Sequence, residues 1–131
     1  MGAEENFQSR VLKYLNSIEG CCAENVSGNS QQSGRADING VYRGRSFRIE
    51  LKIMGNKPTC KQMLNLMKWF KSGSAICVAY DIDDVIMFLR CMDSEALWQN
   101  ITGNYASFGC YKNGVNSYEF FKTYRELYTQ D

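Results

Sequence analysis

The chain has 131 residues, 44% of them hydrophobic and 13% aromatic, with 15 basic and 14 acidic side chains for a net charge of +1. That is the size and make-up of a single globular domain, residues 1–131, and no apolar run approaches the length of a membrane span. The chain contains no histidine, which excludes Ser-His-Asp and Cys-His catalysis and the histidine-based zinc proteases; any chemistry falls to carboxylates, lysine or a bound metal.

The spacing predicts a first helix over residues 4–18, with Phe7, Val11, Tyr14, Leu15 and Ile18 on one stripe. Glu4 falls inside that stripe and Glu5 projects away from it. A carboxylate there either complements the helix dipole at the surface or is aimed into a site beneath the helix. Residues 19–34 are rich in Gly, Ser, Asn and Gln and read as a mobile loop.

Two strands joined by a turn at Arg43-Gly44 come next. In the second strand Phe47, Ile49, Leu51 and Ile53 alternate with Ser46, Arg48, Glu50 and Lys52. A turn centred on Arg43-Gly44 sets Ile38 against Ile49 and Ala36 against Leu51 on the apolar side. On the polar side it sets Asp37 against Glu50. Two facing carboxylates repel, and a shared divalent cation removes that cost. Lys52 lies on the same face as Glu50, so the three groups together have the make-up of a hydrolytic site.

Charge along the chain singles out the same place. Residues 35–71 carry nine basic side chains and only two acids, and those acids are Asp37 and Glu50. A positive segment around an acid pair suits a polyanion that is held and then cut.

Thr59 starts a second helix with Gln62 in capping-box spacing; Met63, Leu66, Met67 and Phe70 form its apolar face and Gly73 ends it. The methionines and Trp69 read as core. Residues 74–80 form an apolar strand, and residues 83–90 a short helix or a further strand. Residues 93–100 suggest a helix, residues 104–116 a loop, and residues 117–128 an amphipathic helix that buries Phe120, Phe121, Tyr124, Leu127 and Tyr128. Met1-Gly2-Ala3-Glu4-Glu5 has no signal-peptide character. An intracellular location is therefore expected, in a bacterial cell or the cytoplasm of a virus-infected host cell, with the six cysteines as free thiols.

Taken in order, these elements resemble the PD-(D/E)XK nuclease superfamily, and within it the virus-type replication-repair nuclease (VRR-NUC) family. The motifs are Glu4 with Gln8 and the apolar run Val11-Leu12-Lys13-Tyr14-Leu15, then Gly34-Arg35-Ala36-Asp37, then Glu50-Leu51-Lys52. Thr59-Cys60-Lys61-Gln62 follows, then the strand at residues 75–80 with Asp83-Asp84-Val85. The resemblance covers about residues 4–90. Ala36 stands where the superfamily name has proline, and residues 91–131 have no counterpart.

The resemblance implies an α/β, restriction-endonuclease-like core, a mixed β-sheet flanked by helices, here with a C-terminal helical extension. It implies Mg²⁺ or Mn²⁺ held by Asp37, Glu50 and the main-chain carbonyl of Leu51. Lys52 would activate water and stabilise developing charge, Glu4 would hold a metal-bound water or a second ion, and Gln62 would position water or Lys52. Arg35, Arg43, Arg45, Arg48, Lys57 and Lys61 are the expected DNA contacts. The activity implied is that of a structure-specific DNA endonuclease, a homodimer resolving four-way (Holliday) junctions. The alternatives are a flap or restriction-like endonuclease on linear DNA and a DNA-binding module without activity.

Overall fold

The computed structural model describes residues 3–26, 36–53, 56, 58–93, 107–109, 111–112 and 115–116. In chain order these form α1 (Ala3–Asn16), β1 (Cys21–Asn25), β2 (Ile38–Tyr42), β3 (Arg45–Leu51), α2 (Cys60–Lys71), β4 (Ala75–Ala79), α3 (Ile82–Asp93), β5 (Ser107–Gly109), β6 (Tyr111–Lys112) and β7 (Val115–Asn116).

The sheet forms around the hairpin. Arg43 and Gly44 both take positive φ, 49° and 84°, which gives the tight turn whose twist matches that of the flanking strands. The register is the expected one over Ile38–Tyr42, with Ile38 opposite Ile49 and Gly40 opposite Phe47. Gly40 is required there, because a Cβ would run into the Phe47 ring and come within 2.7 Å of the Cys22 carbonyl. β4 joins β3 in parallel through α2, and the five strands lie in the order β1-β2-β3-β4-β5.

Helices cover both faces. Phe7, Val11 and Leu15 of α1 and Val85, Phe88 and Leu89 of α3 pack on Ile38, Phe47, Ile49 and Cys77. Met63, Leu66 and Phe70 of α2 pack on the opposite face against Ile76, Val78 and Tyr80. All five residues of β4 are therefore buried, which explains why its sequence is apolar without alternation.

Both ends of α2 follow their sequence signals. Thr59 Oγ1 accepts from Gln62 N, Gln62 Oε1 accepts from Thr59 N, and Gly73 (φ 107°) closes the helix. Residues 82–93 are helical, which settles the choice left open there.

Four expectations change. The presumed loop at residues 19–34 contains β1, a strand paired along the whole of β2. Part of it, residues 27–34, lies outside the described residues. Ser107–Gly109, expected in a loop, adds a fifth strand antiparallel to β4. Ala36 packs with α2 and not with Leu51, because the hairpin ladder stops at Ile38 and the chain bends at Asp37. Trp69 is 38% exposed and not core. The helices expected at residues 94–100 and 117–128 also lie outside the described residues.

Candidate active site

Glu50 is the centre of the site. It is the next-to-last residue of β3 and only 2% exposed, because strand alternation turns it toward α2. Gln62, at the third position of α2, donates from Nε2 to Glu50 Oε2 at 2.9 Å. Lys52 Nζ lies 3.6 Å from the same oxygen. The other oxygen, Oε1, is buried and has no hydrogen bond among the described residues. Burial first, and then the neighbouring Asp37 carboxylate, push the Glu50 pKa up to about 9 against the lowering effect of Lys52. The folded protein thus holds this proton more tightly than an exposed glutamate would.

Asp37 reaches the site from one residue beyond the ladder. Its Oδ2 accepts from Leu51 N at 2.8 Å, and its main-chain carbonyl accepts from Val26 N at 2.9 Å. A side chain bonded across the end of β3, rather than a cross-strand ladder pair, therefore holds the two acids together. α1 approaches from the other side, with Gln8 Nε2 3.5 Å from the Asp37 carbonyl. Glu4 lies on α1 one turn before Gln8, and its side chain is outside what is described.

The expected DNA contacts separate in space. Arg48 lies on the same strand face as Glu50, its guanidinium 4.0 Å over the Trp69 ring. Burial lowers its pKa. Lys61 is exposed beside Gln62 on α2. Arg43 sits at the turn, the opposite end of the hairpin from Asp37, where Nη1 pairs with Asp93 Oδ1 at 3.1 Å. Arg45 alternates onto the side of Phe47 and Ile49. Arg35 and Lys57 lie outside the described residues.

Tyr80, assigned no role from the sequence, and Asp84, read there only as part of the Asp83-Asp84-Val85 motif, secure the loop after Lys52. Tyr80 Oη donates to the Asn56 carbonyl at 2.8 Å, and Asp84 Oδ2 accepts from Tyr80 N at 2.8 Å. Burial pushes the Tyr80 phenol up to about 12, so this donor keeps its proton. The only local signal for Tyr80 was a polar tip at the end of an apolar strand.

Among the described residues no group of three or more His, Cys, Asp or Glu side chains is placed to hold a metal. Asp37, Glu50 and a main-chain carbonyl nevertheless suit Mg²⁺, which takes one or two carboxylates and keeps several waters. Two carboxylates held so close that Asp37 helps to raise the Glu50 pKa fit the same group, since a cation between them would offset their repulsion. No helix among the described residues is long and apolar enough to cross a membrane.

A mixed sheet between helices, with an acid pair and a lysine at the end of the strand before the crossover helix, is a restriction-endonuclease-like α/β architecture. Neither a protein-family model nor a curated protein matches the chain. Solved structures do match, among them one described as a VRR_NUC domain, with a TM-score of 0.56 at 20% identity, covering 66% of this chain and 94% of that one. The fold of this chain is that of a VRR_NUC domain.

Proposed function

We propose that the chain is a metal-dependent, structure-specific DNA endonuclease, and that it resolves four-way junctions as a homodimer. One observation supports it above the others: Glu50 is buried against the Asp37 carboxylate, with Gln62 and Lys52 on one of its oxygens, so two acids are held together beside a lysine. Burying an acid beside a second carboxylate costs stability, and groups kept at such a cost cluster at functional sites.

Asp37, Glu50 and the Leu51 carbonyl would hold Mg²⁺ or Mn²⁺, which supplies an acidified water and a polarised phosphate. Lys52 places an ammonium beside that centre, where it meets the negative charge that develops on the phosphate. Gln62 fixes the Glu50 carboxylate, and Asp37 is fixed in turn by Leu51 N. The basic residues of positions 35–71 supply sequence-independent attraction for the backbone. Two such sites related by a twofold axis would cut opposing strands of a branched substrate. Free thiols at Cys21, Cys22, Cys60, Cys77 and Cys91 favour an intracellular setting.

The test is cleavage of a four-way junction, a flap and a linear duplex, with Mg²⁺ and with chelator. Junction cutting that requires Mg²⁺ and fails in Lys52→Ala supports the proposal. Equal cutting of duplex removes the junction reading, and flap cutting alone replaces it. Binding without any cutting reduces the protein to a DNA-binding module. Sedimentation as a monomer, free and on DNA, removes the paired-site arrangement.

A further inference from the structure

We propose that Trp69 is a stacking platform for an unpaired base of the substrate, with Arg48 beside it on an adjoining phosphate and Lys68 and Lys71 along the same strand. The inference rests on the nuclease reading and, within it, favours a flap over a fully paired four-way junction.

Arg48 is a half-buried cation with no carboxylate within ion-pair distance among the described residues. Its Nη1 donates to Ser46 Oγ at 3.1 Å and to the Phe47 carbonyl at 2.9 Å. Nε and Nη2 have no acceptor among the described residues, which leaves three of the five guanidinium donors for a ligand. A guanidinium lying face-on over an indole keeps its edge free for a phosphate.

Trp69 is 38% exposed, and the Arg48 stack holds its indole from one side. Indoles are costly to expose, and a base supplies the missing contact. Lys68 and Lys71 are exposed in the last turn of α2, and that helix contains no acid. Neither lysine has a structural partner among the described residues.

Position relative to the cut completes the argument. Arg48 and Glu50 are two residues apart on one strand face, about 6.6 Å at strand rise. Nucleotides in a duplex strand advance about 3.4 Å each. Arg48, with the Trp69 ring 4.0 Å from it, therefore lies roughly two nucleotides from the phosphate at Glu50. A base inside a duplex has both faces taken by its neighbours, so the platform favours DNA that is unpaired beside the cut.

The experiment compares wild type, Trp69→Ala and Trp69→Phe, without divalent metal, for binding to a flap with unpaired thymidines and to a blunt duplex of equal length. Trp69→Ala should weaken flap binding about tenfold and duplex binding less than twofold, with Trp69→Phe retaining most of the flap affinity. Equal losses on both substrates, or no loss, overturn the proposal. Should Trp69→Ala not fold, a Trp98→Phe protein decides: short oligothymidine should quench the remaining indole emission, and unchanged emission overturns the platform. Unchanged emission in a protein that still cuts DNA removes the platform alone. A wild-type protein that neither binds nor cuts DNA removes the nuclease reading as well.

Discussion

Gln62 donates from Nε2 to the buried Oε2 of Glu50 at 2.9 Å, while its own Oε1 accepts from Thr59 N at 2.9 Å. One amide thus caps a helix and fixes an acid. Thr59→Ala removes only the cap and should cost about 1 kcal/mol of stability with cutting preserved. Gln62→Ala removes both and should lose activity beyond any loss of stability. Paired thermal melts and cleavage rates separate the two roles, and equal activity in the two variants would make Gln62 a cap alone.

Glu50 sets the pH dependence of the metal-free protein. Burial, and then the Asp37 charge, hold its proton to about pH 9, whereas an unfolded glutamate releases it near 4.3. The folded state then binds the extra proton between those values. Its stability from this group is full below the unfolded pKa and falls steadily as the pH rises toward 9. Glu50→Gln should abolish that fall, so its advantage in melting temperature over wild type should be larger at pH 8 than at pH 5. Its new amide would also face the Asp37 carboxylate. A constant difference across pH would mean that Glu50 is ionised in the free protein.

Metal binding requires the same proton to leave. Mg²⁺ added at pH 7 should release close to one proton per site and raise the melting temperature. Both effects should be absent in Asp37→Asn and Glu50→Gln. Calorimetry in buffers of different ionisation enthalpy measures the release. Binding without proton release would place the ion elsewhere.

Arg43 and Arg48 lie on one hairpin with opposite surroundings. Arg43 is committed to Asp93, which also accepts from the Tyr42 hydroxyl at 2.9 Å. Arg43→Ala should change DNA affinity less than twofold and stability by under about 1 kcal/mol. Arg48→Ala should weaken DNA binding and flatten its dependence on salt. Titrations at two salt concentrations rank them, and the reverse order would move the DNA path to the turn end of the hairpin.

Local signals made much of the site legible in the sequence. Side-chain alternation and the Arg43-Gly44 turn set the hairpin register, and capping chemistry set the start of α2. Together they were enough to bring Asp37, Glu50 and Lys52 to one place, whereas the place of Gln62 beside them was implied only by the family resemblance. β1 was not legible, because Cys21–Asn25 buries only Ala23 and is a strand by virtue of its hydrogen bonds to β2. β5 was hidden for the same reason, a three-residue strand defined by its neighbour β4. The exposed side of Trp69 was also hidden, since an aromatic on an amphipathic helix reads as core until its partner is known.

What the sequence determined by itself was which residues alternate, where the chain turns and where the helix is capped, because each depends on neighbours a few residues away. Only the tertiary structure decided how the acids behave. Desolvation of Glu50 depends on α2 packing over β3, and the position of Asp37 depends on a bond to Leu51 N past the end of the ladder. A pair that looked like two equal charges repelling across a hairpin is, in the folded chain, a buried acid with a raised pKa beside a fixed carboxylate, because burial is a property of the layers and not of the strand.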